Sequence, residues 1–268
     1  MQKSIIILIF CLFFVCPPTI VRAVETFRSD NHPILSLVGE TLLYDVSFLW
    51  FQHLAEGSLS LSEGEDPDTF LVVLEAKTLG VAAFFTRDRV EKYQTLMKIG
   101  PDGLLIPIWH SSHTIRGKGS SRREKVTRYD FDYASGQVLY QKIKDGRTYA
   151  DQVYPLKQEI QLFDILSALY NLRLNFYPKL EMGAILIPTF HRKGPQDIVV
   201  TPLKEASHKD KKFFNADPLQ YRILVDPEVF GTKGRDILAS FDGQLRPSKG
   251  IIKNVIGLGD VHGTLRTP

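Results

Sequence analysis

Apolar and polar residues alternate with a period of two through most of this chain. In GETLLYDVSFLWF, residues 39–51, Leu43, Asp45, Ser47 and Leu49 alternate with Tyr44, Val46, Phe48 and Trp50. That pattern predicts a half-buried strand with one aromatic-rich face. EGSLSLSEG at 56–64 repeats it, Leu59 and Leu61 against Ser58, Ser60 and Ser62. EDPD reads as a turn and TFLVVLEAKT as the next strand. Residues 79–100 open as a short helix or irregular edge and continue as the strand RVEKYQTLMKI. PDG at 101–103 is a turn before LLIPIWHSSHTI, in which Pro107 requires a bulge or an edge position. After a polar GKGSSRR, VTRYDFDY and QVLYQKIK flank ASG as a hairpin, and DG makes the following turn. Loops this short leave no room for crossover helices, so the expectation is an antiparallel meander.

The period changes after Pro155. Ile160, Phe163, Leu166, Leu169 and Leu172 recur at spacings of three, and Leu162, Ile165 and Tyr170 widen the stripe. This predicts one amphipathic helix over about residues 157–174, lying on a sheet or groove. Pro155 suits its start and Pro178 limits its end. Strand patterning resumes in GAILIPTFHRKGPQDIVVTPL, with RKG at 192–194 as its turn. EASHKDKKFFNADPLQ is a polar connection or edge excursion. YRILVDPEVFG, RDILASFDGQ and PSKGIIKNVIGLGDVHGTL supply the last strands, with DGQ at 242–244 as a turn. The fold class expected is mainly β: a curved antiparallel sheet or partly open β-barrel with one main covering α-helix. It forms one domain over 24–268, with a boundary near Pro155 or Pro178 as the alternative.

The first 23 residues stand apart. Lys3 precedes the apolar run IIILIFCLFFVC, Pro17 and Pro18 break it, and VRA offers cleavage after Ala23. This is the pattern of a secretory signal peptide. The apolar run is about 12 residues, short of the roughly 20 that span a bilayer. The expectation is therefore export to a periplasm, with tethering through an uncleaved N-terminal segment as the alternative and no transmembrane helix in the mature chain. Residues 24–38 read as an extended lead-in. Cys11 and Cys16 both lie in the leader, which removes disulfides, thiolate catalysis and cysteine-bound zinc from the mature chain. Cleavage also removes Lys3 and Arg22, taking the formal charge from +3 to +1. Neither this charge nor the compartment suits nucleic acid.

Candidate chemistry is sparse. GLGDVHG is not a GxGxxG turn, GKGSS is not a complete phosphate loop, and no GxSxG nucleophile turn occurs. His110 and His113 are three apart in a strand-like context, which puts them on opposite faces. His191, His208 and His262 are scattered. They read as satisfied or exposed imidazoles. No cofactor is implied. Asp164 and Arg173, nine residues apart, would be separated by about 13 Å of helix, so they are not one ion pair. Asp164 lies on the apolar side, where a carboxylate must find donors; Arg173 favours a helix C-terminus. Both read as braces.

GETLLYDV, DILSALYNLR and DGQLRPSK…GLGDVHGTL, in this order, resemble the DUF3108 family of uncharacterised bacterial exported proteins. The likeness spans roughly residues 37–265. It matches Gly39, Glu40, Leu42 and Tyr44 in the first motif, Asp164, Ser167, Leu169, Tyr170 and Arg173 in the second, and Asp242 and Pro247 in the third. It implies a β-rich envelope protein and carries over no reaction. The functional expectation is a non-enzymatic protein that binds a lipid or other apolar envelope component. A structural or assembly role with an envelope protein partner is the runner-up, and an unrecognised hydrolase comes third. Groove or helix-brace candidates are Glu40, Tyr44, Trp50, Trp109, Asp164, Tyr170 and Arg173. Aromatic rows such as Tyr44, Phe48 and Trp50, then Phe84, Phe85 and Trp109, are expected mostly to fill the core and to leave a groove at one end.

Overall fold

The structure is a computed structural model. It describes residues 31–266 except 49–50, 81–82, 84–85, 157–159, 178–182, 191–195, 205–206, 215–216, 227–235 and 256–258. The leader, Trp50, Phe84, Phe85 and the RKG turn lie outside the described residues.

Among the described residues, fourteen strands form one antiparallel sheet. The first meander comprises β1 (Thr41–Phe48), β2 (Phe51–Glu63), β3 (Thr69–Thr78), β4 (Val90–Ile99), β5 (Leu105–Arg116), β6 (Arg123–Asp132), β7 (Gln137–Lys144) and β8 (Arg147–Pro155). The second comprises β9 (Ile185–Thr189), β10 (Gln196–Pro202), β11 (Leu219–Leu224), β12 (Asp236–Phe241), β13 (Pro247–Val255) and β14 (Gly259–Leu265). The first and last strands zip the halves together, from Tyr44↔Leu265 to Phe48↔Val261. The resulting spatial order runs from β8 down to β1, then from β14 down to β9.

Local chemistry accounts for the turns. Asp145 (φ 48°) and Gly146 (φ 75°) both take the left-handed region between β7 and β8, as a primed two-residue hairpin requires. Pro107 sits at a bulge: Leu96 faces Trp109 and Met97 faces Pro107, leaving Ile108 as the extra residue.

The sheet curls but does not close. Its free edges are β8 and β9. Phe190, just past β9, meets Tyr154 of β8 at 5.6 Å and Tyr129 of β6 at 5.4 Å between ring centroids. The two ends thus meet through aromatic contacts, and no ladder joins β8 to β9 among the described residues.

The main helix, α1, is Ile165–Arg173 and lies between the meanders in sequence and in space. Leu166 and Tyr170 pack with Ile34, Leu42, Leu59, Leu61, Val72 and Met97. Ala168 belongs to a second cluster with Phe163, Ile187, Ile198 and Val200, where Leu172 also packs. Each buried aliphatic side chain contributes roughly 1.5–3 kcal/mol. With Ser167, Asn171 and Arg173 buried too, α1 covers the sheet as a deeply seated plug.

Three expectations need correction. The helix begins at Ile165, not near 157, and Pro155 ends β8 instead of starting the helix. The reason is Phe163. Its N–H donates to Pro188 O (2.8 Å) and its carbonyl accepts from Phe190 N–H (3.2 Å), so it is extended and covers the β9 edge. Second, the lead-in ends in a 3-10 turn, Pro33–Leu37, whose Ile34 is fully buried. Third, the polar 205–220 stretch holds a short helix, α2 (His208–Phe214), anchored by buried Phe214 and by Lys253 on Asp210 (2.9 Å). No helix among the described residues is long and apolar enough to cross a membrane.

Candidate functional site

The two ends of α1 are held by different chemistry. At the C-terminal end, Arg173 is 3% exposed. Its Nη1 and Nη2 donate to the two Glu40 carboxylate oxygens at 2.6 and 2.9 Å, and Nε donates to Leu245 O at 3.1 Å. The guanidinium also lies 5.0 Å from the Tyr170 ring centroid. Such a forked arrangement saturates a planar cation that burial would otherwise penalise. Tyr44, on the same strand face as Leu42, donates its hydroxyl to Pro247 O at 2.9 Å. Burial pushes the phenols of Tyr44 and Tyr170 above their ordinary range, although Arg173 pulls each the other way. Glu40, Tyr44, Tyr170 and Arg173 therefore form one brace joining β1, β13 and α1. Midway along the helix, Asn171 exchanges both amide bonds with Leu105 (2.8 and 3.0 Å), imitating a strand neighbour where β6 has already ended.

At the N-terminal end Asp164 is the N-cap. Its Oδ1 accepts from Leu166 N–H at 2.8 Å, while Ser167 Oγ accepts from Asp164 N–H at 3.1 Å, a reciprocal box. The same Oδ1 accepts from Thr95 Oγ1 at 2.6 Å and lies 3.1 Å from His110 Nδ1. Thr95 Oγ1 is 2.9 Å from that nitrogen. Burial alone would raise the Asp164 pKa; the contacts with His110, Thr95 and Ser167 outweigh it and hold the carboxyl below the ordinary range. Asp164 Oδ2 is buried without a hydrogen-bond partner among the described residues. The Thr95 proton goes to the carboxylate, so both neighbours of Nδ1 are acceptors. A proton on Nδ1 is therefore shared between the two.

His110 and Asp164 line a cleft of about 380 Å³. Its wall from β4 to β7 is an ordered grid set by cross-strand register. One row is Thr95–His110–Tyr129–Tyr140. The next is Tyr93–Ser112–Thr127–Lys142. His110 lies near-parallel to Tyr93 (29°) and Tyr129 (26°), giving a ringed floor. Phe131, paired with buried Val138, forms the apolar end, packed with Leu162 and Phe190. Lys125, paired with Lys144, forms the charged end. Ile198, Gln196, Asp197 and Asp226 line the cleft from the other half of the sheet.

The sequence-derived candidates divide cleanly. Glu40, Tyr44, Tyr170 and Arg173 come together, but at the filled end, away from the cleft. Asp164 lines the cleft and caps the helix. Trp109 does not join them: it lies on the face opposite His110, with Arg128 stacked 4.5 Å from its ring centroid. Sequence reasoning missed Tyr93, Thr95, Thr127, Tyr129, Tyr140 and Lys142, and His110, expected as a satisfied or exposed imidazole, lines the cleft. Their signal was present in period two: Thr127, Tyr129 and Phe131 alternate in VTRYDFDY, and Val138, Tyr140 and Lys142 in QVLYQKIK. The His110–Asp164 pair has the orientation of a catalytic dyad. Among the described residues, however, the one hydroxyl recorded at hydrogen-bond distance from His110 is Thr95, on the Asp164 side.

No family model matches the chain, and no curated protein matches it. Among solved structures it is similar to a beta-barrel-like protein of domain of unknown function DUF1849 from Brucella abortus. The identity is 12%, the match covers 85% of this chain and 95% of that one, and the TM-score is 0.45.

Proposed function

We propose that this is an exported, non-enzymatic envelope protein that binds one amphiphilic lipid-like component in the cleft between β4–β7 and β10. The observation that carries the reading is the polarity gradient along the cleft wall. It runs from Phe131 and Val138, through Tyr129 and Tyr140, to Thr127 and Lys142, over about 13 Å at strand spacing. A surface that changes from apolar to cationic over that length matches a molecule with a tail and a head. At about 380 Å³ the cleft sits near the lower end of ligand pockets, roughly 300–1,000 Å³, and so suits a single chain. The export reading rests on the leader pattern. Placement with DUF3108 proteins rests on the three motifs, two of which meet through the Glu40–Arg173 pair.

Native mass spectrometry of protein recovered from an envelope fraction, followed by lipid extraction, tests this. The expected result is a retained single-chain amphiphile, displaced when Tyr140→Trp fills the cleft. Protein recovered empty, with no added amphiphile competing for the cleft, would overturn it. The assembly reading has one observation in its favour. Leu139 (43% exposed) and Val153 (58% exposed) are cross-strand neighbours on the convex face and would be covered by a protein partner.

A further inference from the structure

The charged end of the cleft continues into a cationic rim. Three connections of the first meander, β3–β4, β5–β6 and β7–β8, turn at the same end of the sheet. One row of cross-strand partners runs beneath them: Glu91, Thr114, Lys125, Lys144 and Arg147. Residues 87–91, 116–125 and 142–147 hold ten Lys or Arg against four Asp or Glu. That is a surplus of six on a chain of formal charge +3, so the remainder carries a net −3. Each of the four acids is already engaged: Glu91 by Arg89, Asp88 by Lys118, Glu124 by Arg122 and Asp145 by Arg123. Arg87, Arg116, Lys142 and Arg147 form no ion pair with the described residues. Desolvation, then the charges of Arg89 and Arg87, hold Arg116 below its ordinary pKa, against the pull of Glu91. Like charges gathered this way repel one another until an anion meets them.

The rim crosses five strands, β4 to β8, or about 19 Å at strand spacing. A small anion reaches one or two of its cations; a charged surface meets them together. Two exposed aromatics stand at the same end. Tyr149 is 62% exposed, with Lys144 Nζ 4.7 Å from its ring centroid, and Phe51, 49% exposed, opens β2. Aromatic rings beside cations suit the head-group layer of a bilayer.

We infer that this rim docks the protein on an anionic phospholipid bilayer, with the charged end of the cleft turned to the lipid. Lys125 and Lys142 belong both to the rim and to the cleft lining, so a docked molecule presents the cleft to the head-group layer. The inference concerns the outer surface and does not depend on what the cleft holds.

Cosedimentation of the full mature chain with vesicles tests this, comparing phosphatidylcholine alone with phosphatidylcholine containing phosphatidylglycerol. The expected result is binding to the anionic vesicles, weakening as salt is raised. Each Lys or Arg near such a surface contributes about fivefold in affinity. Arg147→Gln should therefore bind about fivefold more weakly, and the triple variant Arg87→Gln, Arg116→Gln, Arg147→Gln about a hundredfold. All three side chains are exposed, so the melting temperature should not change. Lys209→Gln, Lys211→Gln, Lys212→Gln removes the same charge from exposed positions on α2 and should bind as wild type does. Equal losses in the two triple variants would overturn the rim, by assigning the attraction to net charge. No binding to anionic vesicles, or equal binding to both kinds, would overturn the docking and leave the amphiphile reading intact. Tighter binding of a double-stranded oligonucleotide than of anionic vesicles, lost in the rim variant, would overturn the bilayer in favour of a soluble polyanion.

Discussion

Replacing Asp164 with alanine removes three things at once, and the structure allows each to be sized. The N-cap acceptor for Leu166 N–H is lost, at about 1 kcal/mol. Thr95 and His110 lose a charged acceptor, at roughly 1.5–3 kcal/mol for each such bond in isolation. These losses share one oxygen, so they do not simply add, and about 3–5 kcal/mol is expected for the substitution. For a domain of this size that lowers the melting temperature by roughly 10 °C. Asp164→Asn keeps an oxygen for the cap and for Thr95 but removes the charge, so it should fall between wild type and alanine. The pH dependence has a definite sign. The folded carboxyl titrates below its ordinary value of about 4, so its stabilisation is fully present above that value. It is lost as pH falls through the lower folded pKa, and the gap between wild type and the alanine variant should narrow there. Denaturant and thermal unfolding monitored by circular dichroism, at neutral and acidic pH, supply the measurement. An alanine variant that melts with wild type, or that loses ligand affinity with its transition unchanged, would refute the assignment of Asp164 as a brace.

Other substitutions probe the rest of the frame. Glu40→Ala should cost about 3 kcal/mol in chemical denaturation because it strands the buried Arg173 guanidinium. Combining it with Arg173→Leu should cost less than the sum of the singles. Asn171→Leu leaves both Leu105 backbone groups unpaired in the core; about 2–4 kcal/mol of lost stability is expected, with faster hydrogen exchange at the Leu105 amide. Gly64→Ala would place a Cβ 2.2 Å from Thr69 Oγ1 and 2.9 Å from Leu96 Cδ1. Overpacking of that kind costs about 1–3 kcal/mol, readable as a lowered melting temperature.

What was legible in the sequence was local. The Asp145–Gly146 turn needs two left-handed residues and its sequence supplies them, so the β7–β8 hairpin follows from four or five neighbours. Pro107 cannot donate to a ladder, so its bulge was legible too. The helix start was misplaced although its marker was present. Asp164 and Ser167 have the spacing of a reciprocal cap, but the apolar stripe continues through Phe163 and hides it. What overrides the stripe is the β9 edge, which takes the backbone of Phe163, and no local window contains that edge. The Glu40–Arg173 pair spans 133 residues and the β1–β14 ladder spans most of the chain; each is set by closure of the whole sheet. Trp109 illustrates a different failure. An aromatic in an alternating run belongs to one face, but which face is inward depends on the bulge beside it.

The arrangement also explains how an open cleft can persist beside a filled core. The helix carries Asp164, Ser167, Asn171 and Arg173, all buried, and the three that reach beyond α1 each have a different dedicated partner: β4 and β5 for Asp164, the start of β5 for Asn171, β1 for Arg173. Sliding or rotating α1 by one position would leave a buried carboxylate, amide and guanidinium unpaired together, at a cost of several kcal/mol. Apolar contacts alone would tolerate such a shift, because aliphatic side chains interchange with little loss. The polar partners thus fix the depth of the plug, and with it where the plug stops. It stops at Asp164, against Thr95 and His110, and the next row of the sheet, Ser112–Thr127–Lys142, is left facing the cleft. A helix held less specifically could move into that space, and the cleft would close with it.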